Sequence, residues 1–190
     1  MAAFDISTLD VNSIPQETSF VLDTNILFFL HSGFYSSRNP AIITTYSNFI
    51  SKLLSRGNKL YITTTSIQEF LLGFERKSYK LYVSANGYSM RSRDSNFFSI
   101  KDYRALSAER NNVKRNMDRA LYEVVSYYDI QECKINLEDI DKMVQTYERH
   151  RYDPMDFFAV HECKRNGLIN HISDDSDFQY DPSINVYYAR

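Results

Sequence analysis

The chain has 190 residues, 43% hydrophobic and 24% charged, with a formal net charge of −2. These values suit one soluble globular domain able to bury a full core, and they exclude a generally basic nucleic-acid coat protein. Two cysteines, Cys133 and Cys163, are too few for a disulfide framework and have no partners at metal-ligand spacing, so they read as reduced thiols of a cytoplasmic protein.

The opening stretch MAAFDISTLDVNSIPQ carries two aspartates and no basic region, unlike a secretory signal. No stretch approaches the ~20 apolar residues of a membrane span. SFVLD (19–23) predicts a short buried strand ending in Asp23, followed by a helix from about Asn25 to His31. NPAIITTYSNFISKLLSRGN (39–58) predicts an amphipathic helix, with Ile42, Tyr46, Phe49, Ile50, Leu53 and Leu54 at helical spacing and Gly57 as its C-cap. KLYITT (59–64) is a second strand. Thr65 or Ser66 is expected to cap the next helix, whose apolar face is Ile67, Phe70, Leu71 and Phe74 and which stops near Asn86-Gly87.

Residues 88–104 have no clean period and predict a loop or poorly ordered segment. A long helix follows from about Ser107 to Tyr128, striped by Val113, Met117, Leu121, Val124 and Tyr128. Asn136 to Asp139 resembles a capping box opening a helix to about His150. DPMDFFAVHECKRNG (153–167) predicts a helix with Pro154 in its first turn and Gly167 at its end. LINHIS (168–173) and INVYYA (184–189) complete four strands separated by helices, an α/β domain with a mainly parallel sheet.

On that map the acidic residues fall at the seams. Asp23 ends a strand, Glu69 and Asp156 fall in the first turns of helices, and Asp174, Asp175 and Asp177 follow a strand directly. Each alone has an ordinary explanation in helix-dipole or turn chemistry. Together they gather at the carboxyl edge of the sheet, where open α/β sheets bind ligands. Four like charges there repel unless cations compensate them, and hard oxygen donors suit Mg²⁺ or Mn²⁺. Such ions orient a water and stabilise the leaving oxygen of a phosphodiester.

Other motifs fail on detail. An EF-hand loop lacks its sixth-position Gly, and a haloacid-dehalogenase phosphatase lacks the second Asp, since Asn25 stands two residues after Asp23. There is no P-loop, no GxSxG elbow and no HExxH zinc motif. His161 and Cys163 lie mid-helix and would need further ligands from elsewhere to hold zinc; a packed histidine and a buried thiol is the simpler reading.

Four blocks, in order, resemble the PIN-domain nucleases, the family that includes VapC-like toxins. FVLDTNIL (20–27) is similar to the opening strand with its Asp-Thr/Ser-Asn signature. TTTSIQEFLLG (63–73) carries the second acid, DPMDFFAVHECKRNG the third, and LINHISDDSDF (168–178) the closing strand. The resemblance implies a three-layer α/β/α sandwich and a Mg²⁺- or Mn²⁺-dependent endoribonuclease acting on single-stranded RNA. Asp23, Glu69, Asp156 and Asp175 would be the catalytic acids and metal ligands, with Asp177 in the accessory position. Thr24, Asn25 and Ser173 would support them by hydrogen bonds. It also implies a partner, an antitoxin or other regulatory protein, and a homodimer. The chain departs from the small toxins in the 86 residues between Glu69 and Asp156 and in the extra acid Asp174.

The organisation expected is a single domain over 1–190 with a basic helix-and-loop insertion over 76–130. Residues 76–119 hold eleven Lys or Arg against four Asp or Glu, whereas residues 129–190 hold seven against thirteen. Arg91, Arg93, Lys101, Arg104, Arg110, Lys114, Arg115 and Arg119 are candidates for RNA phosphate contacts, and Tyr88, Phe97, Phe98 and Tyr103 for stacking on unpaired bases. A solvated helix face or a protein-docking segment is the competing reading. For the whole chain, the alternatives are a PIN-like module that binds RNA or protein without cutting, and a DNA nuclease of the flap-endonuclease-related group.

Overall fold

A computed structural model describes residues 2–34, 40–149 and 151–189. In the strand Ser19–Leu22, Phe20, Val21 and Leu22 are all buried, which requires cover on both faces of the sheet. Six strands supply one parallel sheet: β1 (Ala3–Asp5), β2 (Ser19–Leu22), β3 (Lys59–Thr63), β4 (Asp129–Gln131), β5 (Asn170–Ile172) and β6 (Asn185–Tyr188), in the order β1-β6-β5-β2-β3-β4. The helices are α1 (Thr24–His31), α2 (Pro40–Ser55), α3 (Thr64–Ala85), α4 (Ile100–Ala105), α5 (Ser107–Tyr127), α6 (Leu137–Thr146) and α7 (Pro154–Arg165).

Alternation along β2 sorts the layers. Phe20 and Leu22 join Leu27, Phe49, Phe70, Phe74 and Val124 in a core under α1, α2, α3 and α5. Val21 packs instead on Cys163 of α7 and Leu168, beside a second core in which Val186 meets Phe157 and Val160 of α7. The result is the three-layer α/β/α sandwich with a parallel sheet and additional helices in mid-chain. From β2 the chain moves outward to β3 and β4 on the first face. It then returns across the sheet through α6 and α7 to β5 on the other side of β2. Adjacent strands β2 and β5 therefore send their following segments to opposite faces, and a crevice opens at their carboxyl ends.

Several local expectations change in the folded chain. Thr63, not Thr65 or Ser66, caps α3: its Oγ1 accepts the Ser66 N–H at 3.0 Å, so the helix begins at Thr64 and Glu69 falls in its second turn. Strands β1 and β4 were not expected; each has three residues, too few to show alternation, and exists by pairing with β6 and β3. Leu54, assigned to the apolar stripe of α2, is 37% exposed. The helix expected to reach about His150 ends at Thr146 and continues as a 3-10 turn, Tyr147–Arg149. His150 and Asn39 lie outside the described residues.

Residues 88–104 are ordered by means that leave no period. Ser89 bridges to Phe97, Tyr88 stacks on Phe98 at 4.8 Å, and a capping box between Ser99 and Asp102 opens α4. Tyr103 is buried against Tyr79, which removes it as a base-stacking candidate.

Helix α1, which Asp23 caps, and helix α3, which carries Glu69, pack through an aromatic wedge. The Phe28 ring lies 5.0 Å from that of Phe70 and 6.2 Å from that of Phe74. It occupies the space above Gly73, where an added Cβ would fall 1.9 Å from Phe28 Cζ. Gly73→Ala should displace this ring and cost about 1–3 kcal/mol, seen as a lower Tm. Shortening the ring in Gly73→Ala/Phe28→Leu should recover part of the loss. An unchanged Tm in the single variant would show that the helices do not depend on this close approach.

Candidate functional site

Asp23 leaves β2 with its backbone N–H donating to the Ile172 carbonyl of β5 at 3.0 Å, so it stands at the junction of the two diverging strands. Its side chain caps α1, accepting the Thr24 N–H on Oδ1 at 2.6 Å. Oδ2 accepts from the Ser173 hydroxyl at 2.7 Å and, more loosely, from Asn25 Nδ2 at 3.4 Å. Ser173 Oγ in turn accepts the Asp175 N–H at 3.0 Å, which ties the turn after β5 to the end of β2. Thr24 works in two directions: its hydroxyl donates to Glu69 Oε2 at 2.8 Å, across from α1 to α3.

Asp153 caps α7 by accepting the Met155 and Asp156 N–H groups, and Pro154 at the first position favours the start of the helix. Asp156, in that first turn, has no hydrogen bond to its own carboxylate among the described residues. The Tyr46 hydroxyl donates to Asp174 Oδ1 at 3.0 Å and accepts the Ala189 N–H at 3.0 Å.

These elements enclose a cleft of about 540 Å³ at the carboxyl edge. Asp23, Glu69, Asp156 and Asp175 line it, with Thr24 and Asn25. Of the acids after β5, Asp174 is engaged by Tyr46, and Asp177 is not part of the lining. Two further charged residues line the cleft that the sequence reading did not single out, Asp153 and Arg76. Arg76 had a legible signal, since it follows Glu69 by seven residues and so shares its helix face. In the sequence Asp153 reads only as the first residue of the 153–167 block. Among the described residues no histidine lines the cleft. His161 stacks on Phe157 and Cys163 is wholly buried in the core, which matches the packed reading of both.

The fold is one seen before. Over 89% of its length the chain superposes on 97% of a chain in the crystal structure of VapBC2 from Rickettsia felis bound to a DNA fragment from their promoter, with a TM-score of 0.50 and 12% identity. FitAcB from Neisseria gonorrhoeae is also similar, at 13% identity and a TM-score of 0.49 over 88% of this chain and 96% of that one. No protein-family model matches the sequence, and no curated protein matches it. No helix among the described residues is long and apolar enough to cross a membrane.

The candidate RNA-contacting cations lie away from the cleft. Arg104 forms a two-pronged pair with Glu75, Lys114 pairs with Asp118, and Arg115 donates to Asn112. Arg91, Arg93, Arg110 and Arg119 are exposed, as are Tyr88 and Phe97 at 41% each. Arg104, Arg110 and Lys114 rim a separate groove of about 690 Å³ between α3, α4 and α5, floored by Leu71, Val113, Met117 and Leu121.

Electrostatics set the cleft apart from these surface charges. Burial pushes Asp23 up to about 6, against the pull of Ser173 and the Thr24 amide, with Asp175 and Glu69 adding repulsion. Asp156 is pushed up to about 8 by burial first and then by Asp23, Asp153, Glu69 and Asp175. Glu69 is raised by burial, an effect the Thr24 hydroxyl and Arg76 partly offset. A carboxylate whose folded pKa exceeds its unfolded value holds extra protons in the native state, so stability is greatest below the unfolded pKa and declines as pH rises through the folded one. In EDTA, Asp156→Asn should therefore raise Tm above wild type by an amount that grows between about pH 4 and pH 8. At the upper end, a gain of about 2–4 °C would accompany each kcal/mol of relief. A Tm difference that stays constant with pH would mean that Asp156 is not held in this repulsive environment.

Proposed function

We propose that this protein is a metal-dependent endoribonuclease of PIN type, cutting single-stranded RNA. The observation that carries the reading is the convergence of Asp23, Glu69, Asp156 and Asp175, from four separate elements, on one cleft at the point where β2 and β5 diverge. The sequence blocks that resemble the family contribute those same four acids in the family's order. Fold likeness to VapBC2 adds the architecture alone.

The donor set fits a hard divalent cation. Its oxygens are carboxylates, burial raises Asp23, Glu69 and Asp156 with repulsion from neighbouring acids added, and Thr24 and Ser173 already orient two of the set. No group of three or more His, Cys, Asp or Glu side chains among the described residues is gathered tightly enough to hold an ion as it stands. Mg²⁺ tolerates that, because it keeps several waters and is bound through one or two carboxylates. Asp23, Glu69, Asp156 and Asp175 would hold Mg²⁺ or Mn²⁺, with Asp177 too far along its turn to line the cleft. When bound, the ion supplies Lewis acidity to the phosphodiester and lowers the pKa of a water.

The chain's own contribution is positional. Thr24 and Ser173 keep Glu69 and Asp23 from rotating away, and Phe28, Leu72 and Met155 give the cleft an apolar wall that limits water. A toxin within a toxin–antitoxin pair is the setting that the family resemblance favours, with a regulatory protein and a second copy of the chain as partners.

The test is incubation of wild type and Asp23→Asn with single-stranded RNA and DNA in Mg²⁺, Mn²⁺ or EDTA. Wild type should cut RNA only with a divalent ion. Asp23→Asn should lose at least about 100-fold in rate, the scale on which even outer partners of a metal ligand act, and Ser173→Ala about 10–100-fold. RNA bound but never cut would establish the binding-module alternative, and preferential cutting of DNA the flap-endonuclease-related one.

A further inference from the structure

The geometry points to Arg76 as a substrate-binding residue of this cleft, contacting the phosphate that flanks the scissile one in a bound RNA strand. The inference rests on the ribonuclease reading above and deepens it.

Among the described residues, the charged ones lining the cleft are Asp23, Glu69, Asp153, Asp156, Asp175 and, as the one cation, Arg76. Arg76 is exposed and forms no ion pair with any of these carboxylates among the described residues, although its field reaches Glu69 and lowers its proton affinity. By contrast, Arg104 on the neighbouring helix is fully engaged by Glu75. A guanidinium placed beside five carboxylates yet paired with none keeps its donors free for another anion. Arg is suited to that role because its planar fork presents two parallel N–H groups to a phosphate and never loses its charge.

Position decides which phosphate. Seven residues of α-helix advance about 10 Å, so the Arg76 backbone lies two turns beyond Glu69 on the same face. Helical side chains lean toward the N-terminus, which aims Arg76 back over Gly73 and toward Glu69. That path runs over the Phe28 ring, which fills the space a Gly73 side chain would take and keeps the floor apolar. The guanidinium thus stops short of the acids and meets the strand one step along from the phosphate held there. A polyanion entering a cleft lined by acids needs such a contact, since divalent ions at the acids compensate only the reacting centre.

The contact is made equally in ground and transition states, so its loss should appear in KM and not in kcat. With a fluorescein-labelled single-stranded RNA of mixed sequence and Mn²⁺, Arg76→Ala should raise KM about tenfold, the loss of one charge-assisted hydrogen-bonded contact, with kcat within about twofold of wild type. In the cleavage-deficient Asp23→Asn background, fluorescence anisotropy across a salt series should show the log–log salt slope of binding fall by about 0.7, one phosphate contact on a single strand. Arg76→Lys should restore the slope while recovering only part of the affinity, because a point charge replaces the fork.

If Arg76 only neutralises the neighbouring acids, Arg76→Ala will change Tm but leave KM and the salt slope untouched, and the inference falls. Binding that loses its slope in Arg76→Ala while wild type never cuts would keep Arg76 as a phosphate contact and overturn the nuclease reading. Absence of RNA binding by wild type overturns both.

Discussion

A carboxylate with only 8% of its surface exposed must be satisfied from within the protein, and Asp23 is satisfied by groups from two strands. The Thr24 amide comes from the turn out of its own strand and the Ser173 hydroxyl from the end of β5, to which Asp23 is also tied through the Ile172 carbonyl. Pairing β2 with β5, on the side away from β3, is what assembles this set. The parallel sheet demands that pairing because the crossover through α6 and α7 returns the chain to the opposite side of β2. Of the other acids of the cleft, Glu69 is tied to Asp23 through Thr24 and Asp175 through Ser173, while Asp153 and Asp156 are placed by the capped start of α7.

That arrangement stores electrostatic cost. Burial is the largest cause that raises Asp23, Glu69 and Asp156; neighbouring acids add to it, while hydrogen bonds to Asp23 and Glu69 partly offset it. A domain of this size has only a modest margin of stability, so such a cost persists where the surrounding packing over-determines the geometry. Here the aromatic wedge of Phe28, Phe70 and Phe74 holds α1 to α3, and the buried Tyr46 hydroxyl pins the turn after β5 to the chain end at Ala189. Two acids in that turn illustrate the sorting: Asp174 is drawn to Tyr46, and Asp175 is left facing the cleft.

Legibility in the sequence followed the length and periodicity of each element. The long helices α2, α3 and α5 showed their apolar stripes, and the capping box at Asn136 and Asp139 marked the start of α6 as it stands. Strands β1 and β4 did not, because three residues carry no alternation and their order comes from pairing with distant partners. The stretch over 88–104 is a loop to Ser99, as read, but its order and α4 were missed for a related reason. It is held by ring pairs such as Tyr88 with Phe98 and by the Ser89–Phe97 bridge, none of which produces a repeating face. The cap of α3 was misplaced by two or three residues because Thr63, Thr64, Thr65 and Ser66 all have cap-forming side chains, and only the strand end decides among them.

From the order of residues alone come the acids themselves, their position at strand ends and helix starts, and the α/β alternation that sends them toward one edge. These are local properties, set by apolar runs, caps and turn chemistry within about ten residues of each acid. Tertiary structure alone decided that Asp174 is held by Tyr46, that Thr24 bridges two acids, and that Arg76 joins them while Arg104 is taken by Glu75. Those outcomes depend on which strand lies beside β2 and how closely Gly73 lets α1 approach α3. Both are set by contacts between segments far apart in the chain, which local patterns do not encode.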